Sequence, residues 1–217
     1  MMTTNKLTKT FASGSLAIGV LAGAVLTATS ANAAVLTWGE WTSGQDLIQG
    51  DKIVKFKQGS ITGGFVAEAA DKVALLKMGD EYDFVYDAMD GATSSNSTSG
   101  SFTYTIEVIG SNKSIVGVDL DSDVSSNYGT VTETFLEEPG LELVSTNGSP
   151  VPATGFIGIP PKTLLTVTNT LVNTDPGNEG LFQLQNSFHQ SVPEPGTILG
   201  LLAVGGLGLV SRFKKQK

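Results

Sequence analysis

The chain has 217 residues, no cysteine and a formal net charge of −8. Without cysteine, disulfides, thiol catalysis and Cys-ligated metal sites are excluded. Residues 34–191 are more acidic than the whole chain, with 20 acidic side chains against 7 lysines and therefore a net charge of −13. Such a segment repels nucleic acid and anionic lipid head groups, and nucleic acid is not an expected partner.

The first 33 residues have the three parts of an export signal. Lys6 and Lys9 precede an 11-residue apolar run from Leu16 to Leu26, and Ala31-Asn32-Ala33 follows. This order predicts a secretory signal peptide that is cleaved between Ala33 and Ala34. An uncleaved anchor is disfavoured because the run is too short to span a bilayer. The general secretory machinery is therefore an expected partner.

Residues 34–191 are long enough for one domain with a core of its own. Apolar and polar residues alternate with a period of two in many short segments, and this alternation is typical of half-buried strands. We predict a mainly β fold, an antiparallel β-sandwich with one short helix, flanked by the signal helix and a C-terminal transmembrane helix. The predicted strands are Val35–Trp41, Lys52–Lys57, Ile61–Val66, Tyr82–Tyr86, Phe102–Val108, Ile115–Leu120, Val131–Phe135, Leu141–Val144, Leu164–Val172 and Leu181–Asn186.

The short helix is predicted over Val66–Lys77, where apolar residues recur at helical spacing and Gly79 can close the last turn. A strand over Val73–Leu76 is the alternative. Gly91–Gly100 is rich in hydroxyl side chains and is predicted to be a flexible hairpin loop. Ser145–Lys162 contains four prolines and is predicted to be a long connection.

Catalytic motifs are absent from the sequence. His189 is the single histidine, and it lies where the last predicted strand ends, a poor place for a preorganised Ser-His-Asp site. No Gly-x-Ser-x-Gly elbow, histidine-based zinc spacing or phosphate-binding loop is present. We therefore expect a protein that is not an enzyme.

The aspartates of Asp119-Leu120-Asp121-Ser122-Asp123 begin like a calcium-binding EF-hand loop. Val124 and Thr130 then stand where that loop needs glycine and glutamate, so the EF-hand interpretation fails. Two interpretations stay open: a calcium site at Asp119, Asp121 and Asp123, or a turn in which the aspartates bond to the backbone. No other cofactor is expected. A second acidic run invites the same hypothesis; it comprises Asp80, Glu81, Asp83, Asp87 and Asp90.

Two tryptophans, Trp38 and Trp41, can either stack on sugar rings or belong to the core. A spacing of three places them on opposite faces of a strand, so at most one is expected to be exposed there. The stripe of Tyr82, Phe84 and Tyr86 is predicted to be a core face.

The C-terminus, residues 192–217, has three consecutive parts. Pro193-Glu194-Pro195 comes first, an apolar run over Thr197–Val210 follows, and the end is basic. The basic residues are Arg212, Lys214, Lys215 and Lys217. As a helix the run rises about 21 Å, which is short of the ~30 Å hydrocarbon core. The cations are expected on the cytoplasmic side, which leaves the acidic domain outside.

These three parts, in this order, resemble the PEP-CTERM sorting signal, which occurs in bacteria that make exopolysaccharide. The resemblance implies recognition by the membrane-embedded exosortase and cleavage near Pro193–Pro195. The alternative is an ordinary C-terminal anchor after a proline-rich stalk. More diffusely, the strand series from Gly100 to Gln190 resembles uncharacterised ectodomains that carry such tails, common in cyanobacteria.

The expected function is that of an exported, non-enzymatic cell-surface or extracellular-matrix protein, sorted through its tail. It is expected to be membrane-anchored before processing, with exopolysaccharide as a further partner. The alternative is a carbohydrate- or calcium-binding adhesion module.

Overall fold

The computed structural model describes residues 33–90, 94–151 and 155–191. These residues form two antiparallel sheets and one short helix, which confirms the prediction of a mainly β fold. Within these ranges no helix is long and apolar enough to cross a membrane. The predicted signal helix and C-terminal transmembrane helix lie outside them.

The helix α1 spans Trp38–Thr42. The strands are β1 (Ala33–Thr37), β2 (Leu47–Gln49), β3 (Lys52–Phe56), β4 (Lys72–Met78), β5 (Glu81–Asp87), β6 (Gly100–Val108), β7 (Ser114–Val124), β8 (Gly129–Phe135), β9 (Glu138–Thr146), β10 (Ser149–Val151), β11 (Ile157–Lys162), β12 (Leu164–Asn173) and β13 (Leu181–Ser191). One sheet has six strands in the order β1-β4-β5-β13-β7-β11. The other has seven, in the order β10-β9-β8-β12-β6-β3-β2.

The core lies between the two sheets. Tyr82, Phe84 and Tyr86 on β5 are fully buried, as the alternation predicts, and they meet buried aromatic side chains of β6. The Tyr104 hydroxyl of β6 donates to Asn186 Oδ1 of β13 at 2.9 Å, so a hydrogen bond joins the two inner faces. This packing gives the described residues one core that is shared by the two sheets.

Helix α1 replaces the end of the first predicted strand. Thr37 caps it: the Thr37 hydroxyl accepts from the Glu40 amide at 3.2 Å, and the Glu40 carboxylate accepts from the Thr37 amide at 2.8 Å. This reciprocal pair is a capping box, a local signal for a helix start. The prediction of a strand through Trp41 is therefore wrong, because the strand ends at Thr37.

The helix predicted over Val66–Lys77 is wrong, and the alternative strand is right. Lys72–Met78 forms β4, which pairs with β1 on one side and β5 on the other. Val73 and Leu75 are fully buried on its inner face. Pairing on both edges and burial of an alternating face outweigh the modest helix preference of the alanines that precede the strand.

Two segments between β3 and β6 also differ from the predictions. Gly91–Gly100 is not a hairpin loop, because the strands on either side of it, β5 and β6, belong to different sheets. Its described part is fixed by Asn96, whose side chain donates to the Tyr86 hydroxyl at 2.8 Å. The predicted strand Ile61–Val66 is absent, because pairing in this segment is limited to one isolated bridge between Thr62 and Ser101.

The proline-rich stretch Ser145–Lys162 contains strands instead of one long connection. Pro150 lies in β10, and Pro160 and Pro161 lie in β11. Both strands are at the edges of their sheets, and the pairing of β11 with β7 shifts register between Gly158 and Lys162. Proline is tolerated at such places because an edge or a bulge leaves an amide without a ladder partner.

Candidate functional site: the acidic face and the exit strand

The last strand, β13, lies in the middle of the six-stranded sheet, between β5 and β7. It is paired to its end, where Ser191 lies opposite Ser114 of β7. Gln190 is 2% exposed, and its backbone amide donates to the backbone carbonyl of Asp80 at 2.9 Å. The domain is thus connected to the C-terminal tail through a central, buried strand, which we call the exit strand. Pro193–Pro195 and the basic end lie outside the described residues.

The start of the domain lies at the predicted signal boundary. Ala33 and Ala34 are in β1, opposite Leu76 and Leu75 of β4. Ala31 lies outside the described residues. The predicted cleavage between Ala33 and Ala34 stays a prediction.

The outer face of the six-stranded sheet carries six carboxylates, and we call it the acidic face. They are Glu81, Asp83 and Asp87 on β5 and Asp119, Asp121 and Asp123 on β7. Side chains at alternate positions of a strand share a face. Asp119, Asp121 and Asp123 do so because β7 continues to Val124, so the chain does not turn after Leu120. The expected bonds to the backbone are present at two of the aspartates: Asp119 Oδ1 accepts from the Leu120 amide at 3.1 Å and Asp121 Oδ1 from the Ser122 amide at 2.8 Å.

Asp83 and Asp119 lie in one row of the acidic face. Both are register partners of Ser187, which separates them on the exit strand. Asp83 is 1% exposed, and within the described ranges neither of its carboxylate oxygens has a hydrogen-bond partner. Burial, together with the charges of Glu81 and Asp119, raises the pKa of Asp83 to about 7.

Asp119 shares this environment. Burial is the main cause that raises the pKa of Asp119 to about 6, and the charges of Asp121 and Glu81 add to it. Burial also raises the pKa of Asp121 and of Asp123. A bound cation would relieve this repulsion, since opposite charge favours the ionised form of a carboxyl group.

Asp87 of the acidic face and Asp80, which precedes β5, have local partners. The Asp87 carboxylate accepts from the amides of Met89 and Asp90 at 2.9 and 3.0 Å, which is turn chemistry. Asp80 forms an ion pair with Lys113 at 3.7 Å.

Within the described ranges no group of three histidine, aspartate or glutamate side chains is placed to hold one metal ion. Asp119, Asp121 and Asp123 are about 7 Å apart from one to the next, the spacing of alternate residues on a strand. Asp83 and Asp119 lie in one row on β5 and β7, with the exit strand between them, so their backbones are about 10 Å apart.

The single histidine lies beside the acidic face. His189 is on the exit strand opposite Glu81, and its ring centroid is 5.1 Å from that of Phe156. That the protein is not an enzyme stays an expectation.

The two tryptophans do not form a sugar-binding platform. Trp38 and Trp41 lie on α1 and are 5% and 0% exposed. Their ring centroids are 5.4 Å apart and are surrounded by Phe56, Phe84 and Phe102. Sugar stacking needs an exposed aromatic face, and both rings are instead part of the core.

The fold defines a two-sheet antiparallel sandwich whose exit strand continues into the C-terminal motif. A family model described as the PEP-CTERM protein-sorting motif matches residues 191–215. The chain therefore carries a PEP-CTERM sorting motif, and this motif supports assignment to the exported PEP-CTERM proteins. The match begins at Ser191, the last residue of β13.

No curated protein matches the chain. Among solved structures, the crystal structure of Momordica charantia 7S globulin is similar at 12% identity over 61% of this chain. The match spans 35% of the globulin chain, with a TM-score of 0.15. A likeness this low carries no argument about fold or function.

Proposed function

We propose that this chain is a non-enzymatic cell-surface or extracellular-matrix protein, delivered by its PEP-CTERM tail in a polysaccharide-producing, cyanobacterial-type host. The sorting motif itself implies export, membrane anchoring before processing and processing by exosortase. The observation that carries the proposal is the direct continuation of β13 into the motif at Ser191. A folded domain is thereby held close to the membrane until it is released.

The charge distribution supports an extracellular role. The domain before the motif has a net charge of −13, whereas the end of the tail is basic. Cleavage near Pro193–Pro195 would separate the two and leave a strongly acidic domain outside the cell. A net charge far from zero keeps such a domain soluble and hydrated among charged polymers.

Replacing Pro193, Glu194 and Pro195 by alanine should block processing in a host that has exosortase. We expect the wild-type domain in the surface or matrix fraction without its tail, and the variant in the membrane fraction with its tail. Cell fractionation with antibodies to the domain and to a tag after Lys217 measures this. Replacing Pro150 by alanine, away from the motif, is the matched control and should leave sorting unchanged. Equal distribution of all three proteins would contradict the proposal.

A second candidate is an adhesion module that binds calcium through the acidic face. The buried, unpartnered carboxylate of Asp83 in one row with Asp119 favours it. Hard cations prefer carboxylate oxygens, and hydroxyl groups or water can complete their coordination. Ser187 lies between the two aspartates and offers such a hydroxyl. Burial of both tryptophans removes the support for the carbohydrate-binding form of this candidate.

Calcium should raise the melting temperature of the wild-type protein and should not raise that of the Asp83→Asn variant. A ligand that binds only the folded state at 100 times its Kd stabilises by about 2.7 kcal/mol. Calorimetric titration and melting in EDTA or millimolar calcium measure the effect. The Glu142→Gln variant, altered at an exposed carboxylate of the other sheet, should respond like the wild type. No heat and no shift for the wild type would rule out this candidate.

A further inference from the structure

A buried lysine and a buried glutamine join the two sheets where the chain leaves the sandwich. Lys52 begins β3 in the seven-stranded sheet, and Gln190 is near the end of the exit strand in the six-stranded sheet. They are 0% and 2% exposed. Lys52 Nζ donates to Gln190 Oε1 at 2.5 Å, across a sequence separation of 138 residues. The amine therefore lies against the carboxamide group, away from bulk water.

A carboxylate lies beside this pair. Asp51 Oδ1 is 2.8 Å from Lys52 Nζ and also accepts from the Tyr82 hydroxyl at 2.8 Å. The Ser111 hydroxyl donates to Asp51 Oδ2 at 2.7 Å. Lys52 Nζ is 4.5 Å from the centroid of the Tyr82 ring. The amine is thus held in place by a carboxylate, an aromatic face and a carboxamide.

The pKa values of Lys52 and Asp51 are both lowered, for different physical reasons. Burial lowers the pKa of Lys52, which favours the neutral, nucleophilic amine. Burial works in the opposite direction on Asp51, but hydrogen bonds from Lys52, Ser111 and Tyr82 outweigh it and hold the pKa of that carboxyl well below its usual range. Asp51 is therefore an ionised carboxylate and a weak base, and its role as a proton relay rests on its position 2.8 Å from the Lys52 amine.

The leaving group is also unrestrained. Gln190 Nε2 is buried and, within the described ranges, has no hydrogen-bond partner. A buried unpaired amide donor is costly, so the native state gains by losing it.

We propose that Lys52 and Gln190 form an intramolecular isopeptide bond after the sandwich folds. Lys52 Nζ attacks Cδ of Gln190, an Nζ–Cδ bond forms, and the Cδ–Nε2 bond breaks. Asp51 accepts a proton from Nζ and returns it to Nε2, which leaves as ammonia. Asp51 ends the reaction unchanged, and no oxidant, metal or further reactant is needed.

The bond would connect the two sheets covalently. It would also fasten the exit strand, since Gln190 is three residues before Pro193. A force applied through the processed C-terminus would then be carried by a cross-link between β13 and β3 as well as by hydrogen bonds. This inference does not depend on the proposed function.

Peptide-level mass spectrometry of the purified full chain tests the proposal. We expect a branched peptide in which the segments holding Lys52 and Gln190 are joined, with a mass about 17 Da below their sum because one ammonia is lost. Trypsin should not cleave after Lys52 in this species. A folded wild-type protein with free Lys52 and Gln190, unchanged after long incubation at pH 9, would overturn the proposal.

Single-residue variants test the roles of Lys52, Gln190 and Asp51 in the cross-link. Gln190→Met and Lys52→Met should give only unbranched peptides, and Asp51→Asn should slow or abolish the cross-link while Lys52 and Gln190 remain. Lys77→Arg is the matched control, because Lys77 Nζ also lies over the Tyr82 ring, at 5.6 Å from its centroid. It should cross-link like the wild type. A branched peptide in the Gln190→Met variant would also contradict the assignment.

Discussion

Replacing Trp41 by alanine should lower the free energy of unfolding by about 3–5 kcal/mol, the range for a large aromatic side chain removed from a core. Trp41 is fully buried, and its ring centroid lies 5.3 Å from that of Phe56 and 5.1 Å from that of Phe84. It connects α1 to both sheets, so its loss opens a cavity that rigid strands cannot close. Urea unfolding followed by circular dichroism measures the change.

Two further variants serve as comparisons for the stability of Trp41→Ala. Trp41→Phe keeps part of the ring volume and should cost less than the alanine variant. Val172→Ala removes an exposed apolar side chain of β12, 46% exposed, and should change stability by less than about 0.5 kcal/mol. A Trp41→Ala protein as stable as the Val172→Ala protein would contradict the burial of α1 against the core.

Replacing Asp83 by asparagine should stabilise the protein at pH 7 in the absence of calcium. The pKa of Asp83 is about 7 in the folded state against 3.8 as the ordinary value. Well below pH 3.8 the group is protonated in both states, and its burial has no effect on stability through ionisation. As the pH rises from about 3 to 7 the unfolded state ionises first, so folding becomes progressively less favourable.

The Asp83→Asn variant should lack this decrease. Thermal melting in EDTA from pH 4 to pH 8 measures it: the wild-type curve falls with pH, and the variant curve is flatter and lies above it at pH 7. Asp46→Asn, at an exposed position, is the control and should follow the wild type. An Asp83→Asn protein less stable than the wild type at pH 7 would show that the ionised carboxylate has a partner.

The regular strands could be predicted because one of their faces is buried and the other is not. Phe102–Val108, Val131–Phe135 and Leu164–Val172 alternate cleanly, and they form β6, β8 and β12. In these segments apolar side chains alternate with polar ones, and buried positions alternate with more exposed ones in the same way. The strands can therefore be predicted without knowing which strands lie beside them.

The errors fall where a neighbour decides the conformation. The alanine-rich stretch before β4 has helical spacing, yet Lys72–Met78 is a strand because β1 and β5 lie on its two sides. The edge strands that contain Pro150, Pro160 and Pro161 are formed by pairing on one side alone. Helix α1 is the exception, because the capping box of Thr37 and Glu40 that starts it is a local sequence signal.

The acidic face required the order of the strands. Asp83 and Asp119 are separated in sequence, and only the insertion of β13 between β5 and β7 places them in one row. The pairing of Lys52 with Gln190 is similar, because a lysine at the start of a strand ordinarily reaches solvent. Its burial depends on how the two sheets close at one end. Neither arrangement has a local sequence signal.

The measurement that tests the central claim most directly is mass spectrometry of the C-terminus of the surface-located protein. We predict a C-terminus near Pro193–Pro195, with the apolar run and the basic end removed and the acidic sandwich intact. A surface-located protein that retains Lys217 would contradict it and would make the tail a permanent membrane anchor.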